Sequence, residues 1–224
     1  MRRLVILRPE PGASATVESA KAMGLEALAM PLFKIEPVEW ETPEAGGFDG
    51  LLLTSANAVR QAGDKLQSLR GLPVYAVGEA TANAARDAGF DIASTGNAGL
   101  ERLLDSIESD MKLLHLCGEH RTAVEAKQAI AAVPVYQSAE LPPPADFAEI
   151  AGQTVAVHSP RAAKRLAELV DQAELDRATI RIAAISTAAA SAAGAGWEAC
   201  EAADSPTDRA LLALAARLCD YCVR

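Results

Sequence analysis

LLLTSANAV, Leu51 to Val59, joins an apolar run to a hydroxyl pair and then to a helical pattern. A buried parallel strand meets a helix N-terminus in this way. The plan recurs in TVAVHSPRAA, Thr154 to Ala163, where Ser159 stands in the place of Ser55. A second block also recurs. VYAVGEATANAARDAGF (Val74 to Phe90) aligns without a gap to RIAAISTAAASAAGAGW (Arg181 to Trp197), and Gly89 meets Gly196 while Phe90 meets Trp197. The chain therefore reads as two copies of one supersecondary plan.

Outward from those blocks, short apolar runs alternate with helical patterns. Strands are expected at Leu4–Leu7, Leu25–Phe33, Leu51–Thr54, Val74–Val77, Asp91–Ala93 and Met111–Leu116. Others are expected at Val133–Gln137, Thr154–His158, Ile180–Ile185 and Glu198–Ala202. A first helix, capped by Ser14 or Thr16, is expected to run to about Met23 and to close at Gly24. Helices are also expected from Ser55 to about Leu69, from Gly78 to Gly89 and over Leu100–Ile107. Further ones are expected over Ala123–Ala132, Arg161–Val170 and Thr187–Ala193, and after Ser205-Pro206. Lys34 to Gly47 and Pro142-Pro143-Pro144 read as extended linkers. The alternation predicts an α/β fold of parallel sheets covered on both faces. Ligands of such sheets sit beyond the carboxyl ends of the strands.

Composition narrows the function. The 224 residues carry 21 Lys and Arg against 30 Asp and Glu, a net charge of −9, and only 4% aromatics. That excludes nucleic-acid binding through a basic field or stacking platforms. No apolar run reaches the roughly 20 residues of a membrane span. Met1-Arg2-Arg3 looks like a signal-peptide start, but the run after it ends at Arg8-Pro9, so no h-region forms. The expected location is the cytoplasm, and the expected state a monomer. Cys117, Cys200, Cys219 and Cys222 are too scattered for a disulfide scaffold. The Cys219/Cys222 pair lacks two further zinc ligands. No metal or cofactor is expected. GxGxxG, GxxxxGK[ST] and GxSxG are all absent.

The chemistry concentrates in the strand-to-helix loops. Ser55, Thr81, Ser159 and Ser186-Thr187 lie at expected helix N-termini, where free amides and the helix dipole favour anions. Each hydroxyl can equally be a plain N-cap, worth about 1 kcal/mol. His115 reads as a hydrogen-bonded core residue. His120 lies in the exit loop Cys117 to Arg121. His158 ends a strand and faces either a ligand or the interior. Arg8 and Arg161 can pair with carboxylates or with solvent. Tyr136, at a strand end beside a linker, is either a proton donor to a leaving group or hinge packing.

Taken together, the opening strand with Arg8-Pro9, TSANAV at 54–59, AVGEATANAARDAG at 76–89, VPVYQS at 133–138, HSPRAA at 158–163, AAIS at 183–186 and the last Leu-rich helix resemble uroporphyrinogen-III synthases. The resemblance spans nearly the whole chain. It implies two similar flavodoxin-like domains joined by a two-stranded β ladder. One domain would hold residues 1–35 plus 141–224 and the other residues 36–140, with crossing strands near 33–40 and 135–142. Two thin linkers predict hinge motion.

The implied reaction closes the linear tetrapyrrole hydroxymethylbilane to uroporphyrinogen III. The hydroxyl leaves as water, an azafulvene forms, and a spiro route inverts ring D. Tyr136 matches the family tyrosine proposed to help the hydroxyl depart. Thr54, Ser55, Thr81 and Ser159 match loops lining the cleft. Arg8, Ala56, Gly78, Cys117, Gly118, His158, Arg161, Ser186 and Thr187 complete the implied substrate contacts. No cofactor or metal is implied. One departure is clear: the gapless alignment puts Ala188 where the first copy has Thr81, so Ser186 or Thr187 substitutes or the contact is missing. The competing reading is a non-catalytic tetrapyrrole- or anion-binding module of the same fold. A two-lobed periplasmic solute-binding protein is a third, opposed by the missing h-region.

Overall fold

A computed structural model describes residues 2–96, 99–120 and 125–220. The chain divides into two compact units, residues 1–34 with 140–224 and residues 35–139.

In the first unit, β1 (Leu4–Ile6), α1 (Gly12–Ala22) and β2 (Ala27–Ala29) come from the start of the chain. The rest comes from its end: β9 (Thr154–Val157), α5 (Pro160–Gln172), β10 (Arg181–Ala184), α6 (Thr187–Ala193), β11 (Ala199–Ala202) and α7 (Asp208–Asp220). The sheet runs β2-β1-β9-β10-β11 and is parallel throughout. In order of appearance this is 2-1-3-4-5, the flavodoxin-like order. Side chains alternate across each strand. Val5, Leu7, Val155, Val157, Ile182 and Ala184 face α5 and α6, packing on Leu166, Val170 and Ala189. Leu4, Ile6, Ala156 and Ala183 face the other way, onto Ala20 of α1 and Leu211, Leu214 and Leu218 of α7.

The second unit contains β4 (Gly50–Leu53), α2 (Ala56–Gln61), β5 (Val74–Val77), α3 (Glu79–Asp87), β6 (Ile92–Gly96), α4 (Leu100–Asp105) and β7 (Lys112–Gly118). β3 (Phe33–Pro37) and β8 (Ala129–Glu140) are strands in which the chain passes from one unit to the other. The six-stranded sheet runs β3-β8-β7-β4-β5-β6. β4 to β8 are parallel. Without β3, the order is that of the first sheet, with β7 and β8 in the places of β1 and β2. The repeated sequence blocks fall on matching strands, β4 with β9 and β5 with β10.

Several local expectations change. α1 begins at Gly12 after Pro11, so Ser14 and Thr16 lie inside it and do not cap it. Glu10 takes the Ser14 amide and hydroxyl instead. The expected helix over Ala123–Ala132 is absent from Glu125 onward, and its first two residues lie outside the described set. Ala129 to Ala132 pair with Lys112 to His115 in β7. Cys117 and Gly118 belong to β7 rather than to its exit loop. α7 starts at Asp208, and the Thr207 hydroxyl accepts from the Ala210 amide in place of the expected Ser205-Pro206 cap. The helix after Ser55 is short, and a 3-10 turn, Asp64–Leu69, completes the stretch.

Candidate active site

A 2-1-3-4-5 sheet has its switch point between the strands in places 1 and 3, and a crevice opens there at the carboxyl ends. In the second unit these strands are β7 and β4. Leu53 of β4 leads into Thr54 and Ser55. Thr54 Oγ1 lies 3.1 Å from His115 Nε2. His115 is buried in β7 and serves the core as expected. The Ser55 hydroxyl oxygen accepts from the Asn57 amide at 3.2 Å and caps α2, whose first residue is Ala56. Cys117 is buried, whereas His120 is exposed.

Gly118 pairs with Tyr136 of β8, and the Glu119 amide donates to the Tyr136 carbonyl. The Tyr136 ring lies across Gly118. A Cβ built there would stand 2.9 Å from ring atoms Cε2 and Cζ and 3.1 Å from the phenol oxygen. Glycine is thus what lets the ring lie against the strand. Tyr136 is half-buried and packs on the core around Leu116 and Val135. It lies within a strand that continues to Glu140, not at a strand end. Gly118→Ala should push the ring outward and lower stability by about 1 kcal/mol. A denaturant midpoint checks the number.

At the next loop, Gly78 caps α3 with φ +79°, a conformation glycine adopts readily. Thr81 is buried in the first turn of α3, with its amide donating to the Gly78 carbonyl.

In the first unit the switch strands are β1 and β9. Arg8 follows β1 and His158-Ser159 follow β9. Arg8 and His158 meet at Asp208, the first residue of α7. Arg8 Nη1 donates to Asp208 Oδ1 at 3.2 Å, and the Thr16 hydroxyl donates to Oδ2 at 2.7 Å. His158 Nε2 lies 2.9 Å from Oδ1. Burial holds His158 below its ordinary value, against the raising effect of its hydrogen bond to Asp208. Its neutral Nε2–H is therefore the donor. Burial works to raise the Asp208 carboxyl, but hydrogen bonds from His158 and Thr16 outweigh it and lower it. The carboxylate stays ionised.

The Ser159 hydroxyl oxygen caps α5 by accepting from Ala162, and Ser186 caps α6 by accepting from Ala189. Ser186 thus serves as a cap, while Thr187 is exposed on the first turn. Arg161 stacks 4.5 Å over the Phe33 ring and pairs with Glu140.

So the geometry gathers Thr54, Ser55 and Ala56 with Gly118 and Tyr136 at one switch point, and Arg8 with His158 and Ser159 at the other. Gly78, Thr81, Ser186 and Thr187 stand on the neighbouring loops, and Arg161 is engaged with β3 and β8. Asp208 was missed in the sequence. Its only signal was an acidic residue in the first turn of the last helix. Among the described residues no cluster of His, Cys, Asp and Glu could hold a metal ion. Cys222 lies outside them.

Comparison with solved structures supports the same fold. A uroporphyrinogen-III synthetase from Helicobacter pylori shares 18% identity over 97% of this chain and 100% of its own, with a TM-score of 0.67. A mutant uroporphyrinogen III synthase from Thermus thermophilus shares 17% over 97% and 98%, with a TM-score of 0.56. A search of curated proteins finds no match. The family model described as uroporphyrinogen-III synthase HemD matches residues 14–213. With that match over most of its length, the chain belongs to the uroporphyrinogen-III synthase family.

Proposed function

We propose that this protein is a lyase of tetrapyrrole biosynthesis that closes hydroxymethylbilane to uroporphyrinogen III with loss of water. The observation that carries the reading is the family match over residues 14–213. The switch-point residues supply a mechanism. The Tyr136 phenol hydrogen-bonds the substrate hydroxyl and gives it a proton as the C–O bond breaks. Water leaves, the pyrrole N–H proton passes to the phenolate, and a neutral azafulvene remains. Ring D attacks the azafulvene methylene through the carbon that already bears the bridge to ring C, giving a spiro intermediate. That bridge bond then breaks, and the freed methylene bonds the other α-carbon of ring D, which loses its hydrogen, so that ring D closes inverted. What selects this route is placement of the rings, since spontaneous closure of the same molecule gives the type I isomer.

The substrate carries eight carboxylates, and the protein is itself acidic, with a net charge of −9. Attraction must then be local. Arg8 supplies a guanidinium. The first turns of α2, α3, α5 and α6 supply amides beside Ser55, Gly78, Ser159 and Ser186. A hydroxyl whose oxygen accepts as a cap still has its proton to donate. On this reading residues 1–35 plus 141–224 and 36–140 act as two domains linked by the crossing strands, and the enzyme works as a cytoplasmic monomer without cofactor or nucleic acid. No described helix is long and apolar enough to cross a membrane.

Freshly prepared hydroxymethylbilane tests the reading. The purified protein should give mainly the type III isomer by chromatography of the oxidised products. A product mixture containing type I alone, with tight binding of uroporphyrinogen, would leave a non-catalytic binding module.

A further inference from the structure

Arg8 is fixed from one side only. Its Nη1 lies 3.2 Å from both Asp208 Oδ1 and Thr16 Oγ1. No hydrogen bond links Nε or Nη2 to another described residue. That edge lies over Gly12, the first residue of α1, where a Cβ would come within 2.6 Å of Nε and 3.0 Å of Nη2. Glycine puts no side chain into that space, and the Arg8 side chain as a whole is 35% exposed. An Nε–Nη2 edge is the planar fork that takes a carboxylate through two parallel hydrogen bonds.

Asp208 is held as firmly as Arg8. It receives groups from three separate elements: Arg8 after β1, Thr16 of α1 and His158 after β9. Arg8 and His158 are the titratable groups that face it. Its place at the start of the 13-residue α7 adds the helix dipole. With His158 neutral, the Arg8 and Asp208 charges cancel before any ligand arrives.

We propose that Asp208 is a positioning residue for substrate binding: with Thr16 it clamps Nη1 of Arg8, so that the Nε–Nη2 edge is presented to an acetate or propionate carboxylate of the tetrapyrrole. The proposal rests on the synthase reading. Two effects of Asp208 oppose each other. Its charge repels an incoming carboxylate, and its clamp fixes the fork that receives it. At a partly exposed site water screens the repulsion, whereas the geometry of the fork is not screened. Positioning prevails.

Steady-state kinetics with hydroxymethylbilane on Arg8→Ala, Asp208→Ala, the double variant and Gly12→Ala test this. Each single variant should raise KM about tenfold, the cost of a charge-assisted hydrogen bond, with kcat within about twofold. The double variant should be no worse than Arg8→Ala alone. Gly12→Ala keeps a helix-favouring residue in α1, so it reads the blocked fork even where Asp208→Ala does not fold. A lowered KM in Asp208→Ala would make Asp208 a competitor of the substrate and overturn the proposal. Multiplying effects in the double variant, or an unchanged KM in Gly12→Ala, would also overturn it. Wild-type protein yielding type III isomer alongside any of these outcomes sinks the positioning alone. Wild-type protein yielding none sinks the synthase reading.

Discussion

Tyr136→Phe is expected to slow turnover about a hundredfold or more, the usual worth of a positioned proton donor. The fold should hardly notice. Phe keeps the ring that covers Gly118 and packs on Leu116 and Val135. No hydrogen bond ties the phenol to another described residue, so its removal orphans no partner. Thermal unfolding should stay within about 2 °C. Substrate that the slowed enzyme fails to capture closes on its own, so the type I share of the product should rise. Single-turnover rates and isomer ratios measure both. A rate equal to wild type would remove Tyr136 from the chemistry and leave it as packing.

The second large effect concerns stability. Arg181, at the start of β10, is 4% exposed. Its Nε and Nη2 donate to Glu198 Oε1 at 3.0 and 2.6 Å, and Nη1 donates to the Leu218 carbonyl at 2.7 Å. Arg2 reaches the other Glu198 oxygen at 2.6 Å and the Thr179 carbonyl at 2.8 Å. One guanidinium thus ties the last turns of α7 to the amino-terminal edge of the sheet. Arg181→Ala should cost about 3 kcal/mol, because it strands a buried carbonyl and strips the carboxylate of one partner. A loss under about 1 kcal/mol in denaturant titration would contradict this.

The same cluster sets a pH response. Desolvation works to raise Glu198, but hydrogen bonds from Arg181 and Arg2 win and hold it below the ordinary range of a glutamate carboxyl. A lowered folded value means the unfolded chain binds the proton more readily. The stabilisation is complete above about pH 4.5 and fades as pH falls through the folded value. The stability gap between wild type and Glu198→Gln should therefore close on acidification below pH 4.5. A gap that widened there would reverse the assignment.

The fold was legible wherever an apolar run met a hydroxyl and a helical pattern. Leu51–Leu53 and Thr154–Val157 are fully buried strands, and Ser55, Ser159 and Ser186 cap as their positions suggest. Ala129–Ala132 misled because alanine favours helices locally, while here the segment is hydrogen-bonded along β7. Tyr136 was visible, but not that Gly118 makes room for it. Their meeting depends on the pairing of β7 with β8. Asp208 was invisible for a similar reason. Arg8 lies 200 residues away in the chain, and no local pattern links two loops that only the sheet order brings together.

The split origin of the first sheet also orders events on the ribosome. β1 and β2 emerge first, yet β9, the strand that must lie beside β1, is made only after the whole of residues 35–139. The later-starting unit can therefore be complete while the earlier one is still half a sheet with an open hydrogen-bonding edge. A nascent chain with residue 150 clear of the ribosome would hold one folded body and one parallel β-α-β fragment with an open edge, the species from which a chaperone or a protease would have to choose.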